Sequence, residues 1–169
     1  MRPPKVQVGI LQILMKFSGK RTALRQTLET TGRRANLLHF LFWGDVMKLV
    51  TNNPRFKNED YPGLEVEFLD ITYGDILKKV RDYVHENWEI LSHPLYGSVK
   101  PNETIYRSIV IEKKDRLDNY SEALISDAIT TFEKFRANKK TPNWIPRVKD
   151  DFSVIDYDLI SQTINRIIK

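Results

Sequence analysis

Cysteine is absent from the chain, and that absence removes disulfides, thiolate metal sites and cysteine nucleophiles together. It fits a reducing cytosol. Long apolar runs are missing too: no stretch of about 18 apolar residues reads as a membrane span. Histidine is scarce, with three in the chain. One histidine among scattered acids is not a metal-ligand pattern. Glycine is sparse as well, and neither a dinucleotide fingerprint nor a Gly-x-Ser-x-Gly elbow is present. Gly19-Lys20-Arg21-Thr22 fails as a phosphate loop. The pattern needs a glycine where Leu14 stands and a Ser or Thr where Arg21 stands.

What is present is ordinary for a globular chain. It has 169 residues, 41% hydrophobic and 29% charged, enough for one domain with a real core. The net charge of +5 suggests a nucleic-acid partner until the chain is divided. Residues 1–46 hold eight Lys and Arg against two acids, a net +6, and residues 47–169 hold nineteen against twenty, a net −1. The main body therefore has no charge reason to bind a phosphate backbone, and no nucleic-acid partner is expected. Residues 1–46 are read as an extension outside the fold. Three readings of it compete: a secretory signal, a transit peptide, and a translation start at Met47 with the preceding codons carrying a ribosome-binding site. Residues 47–169 are read as a single domain.

Within that domain, Met47–Thr51 is a short apolar run ended by Asn52-Asn53-Pro54, and 64–68 (LEVEF) alternates as a half-buried strand does. Thr72 and Asp75 form a capping box ahead of the stripe Ile76, Leu77, Val80, Val84, which ends near Trp88. Residues 89–92 make a short strand, and the β-branched run 105–112 a longer one. Asn119 and Glu122 can cap a helix whose apolar face runs from Leu124 to Phe135. Residues 152–155 are expected to form one more short strand, and 159–168 a terminal helix. Strands alternating with helices give an α/β fold, a mixed sheet of four or five strands covered by helices in a single layered domain.

Between two apolar runs lies His93-Pro94-Leu95-Tyr96-Gly97-Ser98-Val99-Lys100-Pro101-Asn102-Glu103-Thr104. A hairpin turn takes about two to five residues, and this connection has twelve. Two prolines stiffen it. If the first and third strands are parallel, it meets the Thr51-Asn52-Asn53 turn at one end of the sheet, where ligands of open α/β sheets bind. The candidate site is therefore Thr51, Asn52, Asn53, His93, Gly97, Ser98, Lys100, Asn102, Glu103 and Thr104. Lys100 supplies charge, Gly97 permits close backbone approach, and the hydroxyls and amides supply hydrogen bonds, a set suited to a small anion. The competing reading is that these polar side chains bond their own backbone and the loop only covers a sheet edge. His93 is the catalytic candidate, with Glu103 as partner acid; the alternative is a structural histidine. Arg107 either pins the loop through Glu103 or an Asp, or lies exposed at a strand end.

The segments 47–54 (MKLVTNNP), 79–82 (KVRD) and above all 91–104 (LSHPLYGSVKPNET) resemble the GrdX family, small proteins encoded beside glycine, sarcosine or betaine reductase complexes of amino-acid-fermenting anaerobes. The resemblance covers about residues 47–169. The family pattern implies a proline after Asn-Glu-Thr, where this chain has Ile105. The resemblance implies a cytoplasmic accessory protein with no assigned activity. Its partners would be reductase subunits or a small anionic ligand, without cofactor or metal. The reductases work through selenocysteine and thiols, so a chain without cysteine resembles an accessory and not a redox subunit. The alternative is a small enzyme on a phosphate or acyl compound, with His93 as base and Lys100 as anion clamp.

Overall fold

Leu49 and Val50 are neighbours that a strand must point to opposite sides, and both are fully buried. Their strand therefore carries a core on each face. The computed structural model describes residues 46–97 and 99–168. The chain divides into units Met1–Gly44 and Asp45–Lys169, and the described residues belong to the second. The readings made of residues 1–46 lie outside the described residues, Val46 apart.

The elements are β1 (Met47–Thr51), a 3-10 turn (Pro54–Phe56), β2 (Leu64–Phe68), α1 (Tyr73–His85), β3 (Trp88–Ile90), β4 (Ser108–Lys113), α2 (Asn119–Asn138) and α3 (Pro146–Ile167). The sheet is mixed and four-stranded, in the order β2-β1-β4-β3. β1 is parallel to β2 and antiparallel to β4, and β4 is antiparallel to β3. β1, β2 and β3 therefore run in one direction. The carboxyl ends of β1 and β3 open on the same edge, where β4 begins.

Alternation sorts the core. Val50, Ile90, Ile109 and Ile111 face α1 and α2, meeting Ile76, Leu77, Val80, Val84, Ile125 and Phe132. Leu49, Leu64 and Val110 face the other way, onto Phe56 and onto Ile160 and Ile164 of α3. The expected α/β sheet covered by helices is what forms. Among the described residues no helix is long and apolar enough to cross a membrane.

Three local expectations are corrected. Residues 152–155 are not a strand but the second and third turns of α3. Ser153, Asp156, Ile160 and Ile164 are its buried stripe, and the β-branched pair Val154-Ile155 that suggested a strand faces solvent. The strand expected over 105–112 begins at Ser108. Opposite residues 105–107 the chain has left β1 for the 3-10 turn, so Asn52 supplies the missing ladder: its Nδ2 donates to the Ile105 carbonyl and its Oδ1 accepts from the Arg107 amide.

The cap of α2 is Asp118, not Asn119. Its carboxylate accepts from the Ser121 amide at 2.8 Å and the Ser121 hydroxyl at 2.6 Å. Those bonds hold the Asp118 carboxyl below its ordinary pKa. A depressed carboxyl stabilises the fold above its unfolded pKa of about 3.9, and the contribution is lost as pH falls through the folded value. Asp118→Ala should cost about 1 kcal/mol at pH 7. Urea titrations at pH 7 and pH 2.5 check this: the gap between variant and parent should close in acid, and an equal gap at both would remove the cap from the account.

Candidate functional site

The network at this edge of the sheet starts from a hydroxyl pair. Thr51 and Ser108 face each other across β1 and β4, with their oxygens 2.6 Å apart. Ser108 also bonds Asp156 Oδ2 at 2.6 Å. A carboxylate only accepts, so the Ser108 proton points to Asp156 and Thr51 must donate to Ser108. Thr51 Oγ1 in turn accepts the Asn53 amide at 2.9 Å. Asn53 Nδ2 donates to Asp156 Oδ2 at 2.9 Å and to the Ser153 carbonyl at 2.8 Å, and its Oδ1 accepts from the Arg55 amide. The other oxygen of Asp156 accepts the Tyr96 hydroxyl. Burial, and then the Asp156 charge, hold the Tyr96 pKa well above the ordinary phenol value, so Tyr96 stays protonated and remains a donor.

Tyr96 leads to Arg107, which is 4% exposed. The guanidinium carbon lies 4.1 Å from the Tyr96 ring centre and 4.9 Å from that of Tyr73. Such stacking favours a cation. Nη1 donates to the Tyr96 carbonyl at 3.1 Å. Nε is buried with no hydrogen-bond partner among the described residues, and so is the Tyr73 hydroxyl. Burial raises the Tyr73 pKa, and the Arg107 charge offsets part of that rise. Neither reading of Arg107 from sequence holds. It is not exposed, and its partners are two rings and a carbonyl, with no carboxylate in ion-pair contact among the described residues.

An open cleft of about 270 Å³ lies over this arginine, lined by Tyr96, Gly97, Thr104, Tyr106 and Arg107 on one side and by α3 residues including Ile155, Asp156 and Leu159 on the other. The twelve-residue connection forms the first wall and is tied at several points. His93 Nδ1 accepts the Leu95 amide at 3.0 Å, and Asn102 Nδ2 donates to the Lys139 carbonyl at 3.0 Å. The Glu103 carbonyl accepts Trp144 Nε1 at 2.7 Å. Gly97 has φ 86°, and an added Cβ would stand 3.3 Å from Leu159 Cδ1. That backbone suits glycine.

The sequence-chosen residues thus separate. Thr51, Asn52 and Asn53 are buried and bonded within the chain, Asn52 through Ile71, Ile105 and Arg107. Gly97 and Thr104 line the cleft. His93 and Lys100 are exposed. Asn102 is buried, with its Oδ1 lacking a partner among the described residues. Ser98 lies outside the described residues. Among the described residues no group of three or more His, Asp or Glu could hold a metal ion.

Sequence reasoning did not find Tyr96 and Asp156. Tyr96 stood in the middle of the quoted motif. Asp156 falls on the period of the stripe that includes Ile160 and Ile164, and an acid on an apolar stripe is the signal that marks it.

Comparison with protein-family models matches residues 48–165 to the family described as GrdX-like protein. Comparison with the curated proteins and with the solved structures gives no match.

Proposed function

The chain belongs to the GrdX-like protein family, and from that premise we propose that it serves a glycine, sarcosine or betaine reductase system as a cytoplasmic accessory protein. The family match carries the reading. Its working surface is the 93–104 connection together with the Thr51-Asn52-Asn53 turn behind it. The turn fixes the edge of the sheet, the connection is pinned to Lys139 and Trp144, and His93 and Lys100 stand exposed on it. Pre-organised surfaces of this kind lose little freedom on binding. The role is that of a partner and not of a redox centre, because the chain has no thiol.

The test is capture. The full-length chain, immobilised and washed with purified reductase subunits, should retain at least one of them, and His93→Ala with Lys100→Ala should weaken that retention tenfold or more. Both side chains are exposed, and the variant gives up only the exposed bond from the Leu95 amide to His93, so its stability should stay within about 1 kcal/mol of the parent's. Retention of no subunit would sink the reading.

A further inference from the structure

We propose that Arg107 anchors a binding site for a small monocarboxylate, entered through the cleft between the 93–104 connection and α3. This deepens the reading of that connection as the working surface and rests on it.

A buried cation is costly unless it is paired. Arg107 is 4% exposed and no carboxylate of the described residues contacts it. Asp156 is nearby, but its oxygens accept from Asn53, Ser108 and Tyr96. One guanidinium nitrogen serves the Tyr96 carbonyl, while Nε is buried with no hydrogen-bond partner among the described residues. The Tyr73 and Tyr96 rings confine the guanidinium, 4.9 and 4.1 Å from its carbon. A planar, confined guanidinium with donors in reserve matches a carboxylate, which can take two parallel N–H bonds.

The walls narrow the class. The cleft is shallow and open to solvent, so it takes only a ligand of few heavy atoms. Thr104 offers a hydroxyl whose bond to the Tyr106 carbonyl is long, at 3.4 Å. Phe152, Ile155 and Leu159 make the opposite wall apolar, Val99 adds an apolar side chain on the connection's own wall, and Gly97 brings no side chain to it. A dianion such as phosphate fits poorly: one arginine faces it, and Asp156 lines the same cleft. A monocarboxylate balances Arg107 and lays its short apolar part on Ile155 and Leu159.

The test uses the full-length, ¹⁵N-labelled chain and reads the Arg107 Nε–Hε signal by NMR, assigned by its loss in Arg107→Lys. Sodium acetate is titrated against sodium chloride at equal ionic strength, with inorganic phosphate as a third arm. Acetate should move the signal saturably in the range of about 1 mM, chloride should not, and phosphate should bind at least tenfold more weakly. Ile155→Trp, made at a position 43% exposed, should fill the cleft, leave the melting midpoint unchanged and weaken acetate at least tenfold. It keeps the test decisive where Arg107→Lys fails to fold. No saturable shift with acetate, equal binding of phosphate, or undiminished binding in Ile155→Trp would each overturn the site. Subunit capture without acetate binding leaves the accessory role and removes the site; acetate binding without capture does the reverse.

Discussion

Asp156→Ala should lower stability by about 3 kcal/mol or more, because it leaves three donors without their shared acceptor. A domain of this size has about 5–15 kcal/mol in total, so the variant should stand near its limit at room temperature. The reason lies in what the carboxylate receives. Ser108, Asn53 and Tyr96 all donate to it from buried or half-buried positions, and each donor left unmatched costs about 1–3 kcal/mol less whatever relaxation recovers. Proton order adds to this. Thr51 gives its proton to Ser108 because Ser108 gives its own to Asp156, so the acceptor at the end of the chain orients the hydroxyls before it.

Asp156→Asn separates the two contributions. The amide keeps the shape and one acceptor oxygen, but it brings an NH₂ against groups that already donate. Its loss should be smaller than that of Asp156→Ala and still above about 1 kcal/mol. Urea titration followed by far-ultraviolet circular dichroism measures both. A loss under about 1 kcal/mol for the alanine variant would mean that water replaces the carboxylate, and the network would then be incidental to the fold.

The same network marks where the sequence was legible and where it was not. Element types came through wherever periodicity was strong: the alternation of Leu64–Phe68, the stripe Ile76, Leu77, Val80, Val84, and the box between Thr72 and Asp75, where the Asp75 amide does donate to Thr72 Oγ1. Periodicity failed at 152–155, because Val154 and Ile155 have strand propensity but sit on the solvent side of α3, where propensity does not decide. The connection stood out by its length, and its stiffness by its prolines. Its chemistry did not, because which polar groups remain open depends on contacts distant in sequence. Asn53 reaches Asp156 across 103 positions, and Asn52 replaces a strand ladder that only the tertiary fold interrupts. Local pattern does not reveal either asparagine's partners. Arg107 was visible as a charge on an apolar parity, but its ring partners come from two other places, Tyr73 from the start of α1 and Tyr96 from the connection.

Gly74→Ala should destabilise the protein by about 1–3 kcal/mol, against the local preference that makes alanine the better helix former by about 1 kcal/mol. Gly74 lies in the first turn of α1, and a Cβ there would stand 2.5 Å from Phe132 Cε1 and 3.1 Å from Cζ on α2. Phe132 is itself buried and stacked on Tyr73, with ring centres 5.2 Å apart, so the ring has no open side to swing into. Tyr73 in turn carries Arg107 on its face. A methyl at position 74 therefore pushes through one ring to the next and on to the arginine. Phe132→Leu removes the obstructing edge. Alone it should cost about 1 kcal/mol or more through the cavity it leaves, but in the Gly74→Ala background its cost should shrink or reverse. The coupling energy of the cycle should fall in the range of about 0.5–3 kcal/mol, of the sign that makes the double variant more stable than the two losses predict. Thermal and urea unfolding of the four proteins measure it. Additive losses would mean that α1 and α2 part slightly without disturbing the rings, and that the close approach at Gly74 does not hold Tyr73 in place under Arg107.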